Sequence, residues 1–75
     1  MNKFRRKQIQ DALSLIDKAY ALLTNAKDEE EMAFENLPES LQESERGTTM
    51  QDNVDYLDTA VTGLEEVKEA LENIE

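Results

Sequence analysis

Apolar residues recur at intervals of four, three, four and three along both halves of this chain, and one proline, Pro38, separates the halves. The first series is Ile9, Leu13, Ile16, Tyr20 and Leu23. The second is Met50, Val54, Leu57, Val61 and Leu64, with Leu71 one heptad further on. This spacing is the seam of a helix packed on another helix; a strand would repeat every second residue instead. The predicted fold is all-α: an antiparallel helical hairpin in one domain. Helix one covers about residues 2–36, a connector with a short capping helix about 37–47, and helix two about 48–75.

Both apolar faces are wider than a seam. Leu15 and Leu22 broaden the first, and Ala12, Ala19, Ala26 and Ala33 follow one another at intervals of seven. Ala60, Val67 and Ile74 do the same in the second half. Small residues repeated at one heptad position admit a close neighbour. Within a hairpin each helix covers only one side of the other, so faces this broad stay partly bare in a single copy. The expectation is a homodimer forming a four-helix bundle. Its predicted interface is Ile9, Leu13, Ile16, Tyr20, Leu23, Val54, Leu57, Val61, Leu64 and Leu71. Tyr20 and Tyr56 are predicted at the edge of this core. A chain of 75 residues with no cysteine and no histidine has neither a disulfide nor the commonest metal ligand to stabilise it, which leaves a second copy.

Continuing the first seam gives Lys27, Glu30 and Phe34, through the charged run Asp28–Glu31. Helix one either frays here or projects beyond its partner before Met32, Ala33 and Phe34 restore contact, and a break near residues 25–31 is left open. Gly63 has two readings as well. It admits a close helix, or it is tolerated at the surface at about 1 kcal/mol relative to alanine.

The connector reads NLPESLQESERG. Pro38 suits the first turn of a helix and biases Leu37 away from helical geometry. PESLQES has the length of about two turns. Leu37, Pro38, Leu41 and Gly47 are predicted to cap the hairpin, with Gly47 as a C-terminal stop after Arg46. Thr48 or Thr49 is the predicted N-cap of helix two. The charged residues Glu39, Glu43, Glu45 and Arg46 offer a partner-binding surface, as do Arg5 and Arg6 at the chain start.

The net charge of −10 is unevenly placed. Residues 1–10 hold four bases and no acid; residues 28–75 hold sixteen acids and two bases. An acidic body disfavours nucleic acid and anionic membranes as partners. No apolar run has the roughly 20 residues of a membrane span, and the basic start lacks the apolar block of a secretory signal. A cytoplasmic location is expected. The bases at residues 3–7 have two readings: holding a phosphate or membrane surface, or pairing with the acids of Glu65–Glu75 across the hairpin.

Catalytic chemistry finds no support. A di-metal bundle site needs Glu-x-x-His pairs, and there is no histidine. The serines and threonines lack a base to activate them, and Gly47 and Gly63 are too isolated to cradle phosphate. The chain is read as a non-enzyme with no catalytic, cofactor-binding or metal-ligating residues.

The stretch DEEEMAFENLPESLQESERGTTMQDNVDYLDTAVTGLEEVKEALENIE resembles small helical-hairpin proteins of bacteriophages and prophages of Gram-positive bacteria. It shares with them a polar helix, an NLPESLQxSxRG-like connector and an acidic second helix. The likeness covers about two thirds of the chain, and helix one matches in pattern only. It implies a phage accessory protein acting through protein–protein contacts in the cytoplasm of a bacterial host. A host or defence protein would then be its partner. One alternative is an inhibitor whose acids imitate nucleic acid; another is binding of a small anion or nucleotide by Arg5 and Arg6.

Overall fold

A computed structural model describes residues 1–75. It is a helical hairpin of three elements: α1 (Lys3–Glu35), α2 (Glu39–Gln42) and α3 (Glu45–Glu72). The rod measures 58 × 15 × 13 Å. No helix is long and apolar enough to cross a membrane.

Helix α1 is continuous through residues 25–31. No glycine or proline interrupts Lys3–Glu35, and the polar seam positions find partners on α3. Lys27 Nζ meets Asp58 Oδ1 at 2.8 Å, and Asn53 Nδ2 donates to Glu30 Oε2 at 3.1 Å. The seam changes there from apolar to polar without ending. At its start, the Asn2 side chain accepts from the Arg5 amide at 2.9 Å, filling the N-cap role.

The connector differs from expectation in four ways, all with one cause. Helix α2 is a single turn, not two, and α3 begins at Glu45 rather than Thr48. The N-cap is Ser44, not Thr48 or Thr49: its Oγ accepts from the Gly47 amide at 3.5 Å and donates to the Leu41 carbonyl. Gly47 is therefore no C-terminal stop; it lies in the first turn of α3 with a negative φ. What demands glycine is close approach. A Cβ there would lie 2.0 Å from the Gln42 carbonyl oxygen and 2.7 Å from that of Leu41. Because α3 starts early, it presses its first turn directly onto the backbone of α2.

Capping by leucine is only half realised. Leu37 is half-buried, but Leu41 is 40% exposed. The closure is polar: Gln42 Nε2 donates to the carbonyls of Leu37 (3.1 Å), Phe34 (3.3 Å) and Glu35 (3.4 Å). The Glu35 and Leu37 carbonyls have no backbone donor of their own, while that of Phe34 also accepts the Leu37 amide at 3.0 Å; the last turn of α1 carries no base. Pro38 accepts from the amides of Leu41 and Gln42.

The core is thin. Val61 is the one buried apolar side chain, 8% exposed. Around it Ile9, Leu13, Ile16, Leu23, Val54, Leu57, Leu64 and Leu71 are half-buried along the seam between α1 and α3, with Tyr20 at its edge. Tyr56 is not a core-edge residue: it is 75% exposed.

Candidate functional site

The hairpin has two unlike sides, and heptad geometry separates them. Residues that follow a seam position point to one side of an antiparallel pair; those that precede one point to the other. On the first side sit the polar ties. Lys68 Nζ meets Asp17 Oδ1 at 2.9 Å, Tyr20 Oη donates to Glu65 Oε1 at 3.0 Å, and Lys27 meets Asp58. In all three ties the residue numbers add to 85, so one register governs residues 17–27 against 58–68.

These ties shift three ionisations the same way. The Tyr20 hydroxyl is raised above its ordinary value, chiefly because it donates to Glu65, and further by that carboxylate's charge. Lys27 is raised by its hydrogen bond to Asp58, and Lys68 by its hydrogen bond to Asp17. Each folded-state pKa lies above the unfolded one. The stabilisation is therefore complete below the unfolded values, about pH 10, and is lost as pH rises through the folded ones. Helicity followed by circular dichroism during urea unfolding is expected to show stability falling above about pH 10. The triple variant Tyr20→Phe, Lys27→Met, Lys68→Met should show a shallower fall. Equal slopes would mean that the ties contribute nothing.

The other side is nearly free of charge. On α1 it presents Ala12, Leu15, Ala19, Leu22 and Ala26, with Glu29 and then Ala33 beyond them. On α3 it presents Asn53, Tyr56, Ala60, Gly63, Val67 and Ala70. The spacing is again three and four, so each helix carries a second seam beside the first. Leu15 is 66% and Leu22 71% exposed; Tyr56 and Val67 are exposed too. The seven acids of α3 between Asp52 and Glu72 all lie off this stripe. One tie, Asn53 to Glu30, closes its connector end.

The ten residues predicted for an oligomer interface thus lie along the chain's own α1–α3 seam. The bare stripe beside them was readable only in part. Leu15, Leu22 and the alanines of α1 stand out in the sequence as a broad face, as do Ala60 and Val67 of α3; Gly63 has a close-contact reading there, and Tyr56 and Ala70 belong to no such face.

Of the two readings of the basic chain start, pairing with the acids of α3 is not realised. No ion pair joins Lys3, Arg5 or Arg6 to the acids of α3; Lys7 pairs within α1 with Asp11. Arg6 Nε donates to the Met1 carbonyl at 3.3 Å. Arg6 shares a shallow groove with Glu72 and Glu75, but Leu13, Leu71 and Ile74 also line it, and no bond forms to the acids. The register explains the miss. The first turns of α1 extend past the level of Glu72, so the bases lie beyond the helical acids.

Glu39, Glu43, Glu45 and Arg46 are exposed around the connector. They make no ion pair. No group of three acids converges closely enough to hold a metal ion. Compared with protein-family models, curated proteins and solved structures, the chain matches none of them.

Proposed function

We propose that this chain is a non-enzymatic accessory protein of a phage or prophage that works by binding proteins, and that its working form is a homo-oligomeric helical bundle. The observation that carries the reading is the bare second seam beside a core with a single buried apolar side chain. A compact chain of 8.6 kDa would expose about 4,700 Å². This one exposes 5820 Å². The excess on this one chain is larger than the roughly 800 Å² per partner that a standard specific interface covers. The likeness of the connector and α3 to small phage proteins supports the accessory role and a place in the bacterial cytoplasm.

Light scattering coupled to size exclusion tests the oligomer. At micromolar concentration the mass should be a multiple of 8.6 kDa. A folded monomer would overturn the bundle.

A second reading concerns what the bundle binds. The α3 acids lie on the tied side and the outer flank, so association through the bare stripe leaves Asp52, Asp55, Asp58, Glu65 and Glu69 displayed. Such an array fits a basic partner, as a nucleic-acid mimic would. Binding of that kind weakens steeply with salt, whereas apolar docking does not. A partner retained at high salt would exclude mimicry.

A further inference from the structure

We propose that the bare stripe is covered by a second copy of this chain, related by a two-fold axis parallel to the rod, so that both connectors lie at the same end. This rests on the oligomeric reading above and specifies its geometry.

Two face-to-face arrangements are open to a symmetric pair of hairpins. With the axis along the rod, α1 of one copy packs on α3 of the other. With the axis across the rod, α1 packs on α1 and α3 on α3, and the connectors point apart. The first has no adjustable register. Rotation about the long axis preserves height, so α1 must meet the partner's α3 at the level set by the intramolecular ties, where residue numbers add to about 85. At that level Leu22 lies over Gly63 of the other copy, Leu15 over Ala70, and Val67 over Ala19. Large meets small in these three layers, and Ala26 meets Ala60 in the next. A Cβ built on Gly63 meets nothing within 4 Å inside one chain, so the space above it is open for an incoming side chain.

Charges agree at the rim. Lys18 and Glu66 make no ion pair within the chain, and their numbers place them level with each other across the two copies. Glu29, the one charge within the α1 stripe, comes level with Tyr56, repeating the offset of the Tyr20–Glu65 bond.

The crossed arrangement fails on packing. At maximal overlap it sets Leu15 on Leu22 along one helix pair and Gly63 on Ala70 along the other. The first pair needs wide separation and the second invites close approach. Its attraction is electrostatic, since it separates the two acidic connectors and brings each toward the other copy's basic start. Those charges are exposed, and exposed charges further apart than about 8 Å are largely screened at physiological salt. Misfilled apolar layers cost more than that attraction returns. The covered face, about 32 Å from Ala12 to Ala33 and 15 Å wide, amounts to about 1,000 Å² over both copies, the size at which specific interfaces begin.

The chain has no native cysteine, so a single spin label is unambiguous. Ser40→Cys in α2, labelled and read by pulsed electron resonance, should give an inter-label distance of about 25 Å, the width of a four-helix bundle. A distance near the 58 Å length of the rod would overturn the parallel axis while leaving the dimer standing. A monomeric mass by light scattering would overturn both. Gly63→Leu should raise the dimer dissociation constant at least 100-fold while the hairpin keeps its helicity. Unchanged affinity would overturn the Leu22–Gly63 layer. Lys18→Glu and Glu66→Lys should each weaken the dimer severalfold, and the double exchange should restore it. Failure of that restoration would overturn the rim pairing and with it the assigned register.

Discussion

Gly47→Ala is expected to lower the thermal unfolding midpoint by roughly 15 °C, the equivalent of about 3 kcal/mol in a domain of this size. The methyl group has nowhere to go. Its carbon would sit 2.0 Å from one backbone oxygen and 2.7 Å from another. Neither is the end of a flexible side chain. Either α3 must lift off α2 or the α2 turn must open, and opening it withdraws Gln42 from the three carbonyls it closes. Because Gly47 already has a helical φ, alanine's better helix propensity returns about 1 kcal/mol at most, which offsets only part of the clash. Gly63→Ala is the matched control. It faces open space within the hairpin, and in a helix alanine is favoured over glycine by about 1 kcal/mol. Thermal melts of the two variants should therefore move in opposite directions within the single-chain fold. A Gly47→Ala protein that melts like the parent would show that α2 is not clamped by α3.

Val61→Ala is the second large effect. Two methyl groups leave the most enclosed position of the chain, at a cost of about 2 kcal/mol from lost burial and the cavity left behind. In a protein with a deep core one such change is absorbed. Here Val61 is the one buried apolar side chain, so that loss is a large share of the total. Urea unfolding should show a lower midpoint with an unchanged slope. Leu22→Ala, at a side chain 71% exposed, should leave single-chain stability nearly unaltered. If both substitutions cost the same under conditions where the protein is a monomer, the seam would not be centred where the structure places it.

Much of the fold was legible because period and punctuation agree. The three-and-four spacing from Ile9 to Leu23 and from Met50 to Leu71 named both helices and their facing sides, and Pro38 marked where the chain turns. The misses came from residues whose role depends on an approach that no local rule encodes. Gly47 after Arg46 looks like a helix stop, yet it serves as a site where one backbone lies against another. Gln42 has no capping signature; it reaches back to α1 only because α2 is one turn long. Lys27 and Glu30 looked like a failing seam, because Asp58 and Asn53 are identifiable as partners only once the register is fixed. That register also explains why Lys3, Arg5 and Arg6 do not reach the acids of α3. For the bare stripe, the alanines and leucines of α1 were visible. On α3, Ala60 and Val67 were visible too; Tyr56, Gly63 and Ala70 join them only when the two helices are set side by side with their handedness respected.

The slenderness of the hairpin has a consequence for anyone weighing it. Its radius of gyration is 17.2 Å. A globule of this chain length would have about 11 Å. Elution from a sizing column follows hydrodynamic dimensions, so one copy alone already travels as a larger protein would. Adding a second rod flank to flank, with layers about 10 Å apart, raises the radius only to about 18 Å. Pairing therefore doubles the forward X-ray scattering while leaving the size-dependent part of the curve almost where it was. For a molecule of this shape, mass and size are separate readings, and only the mass counts copies.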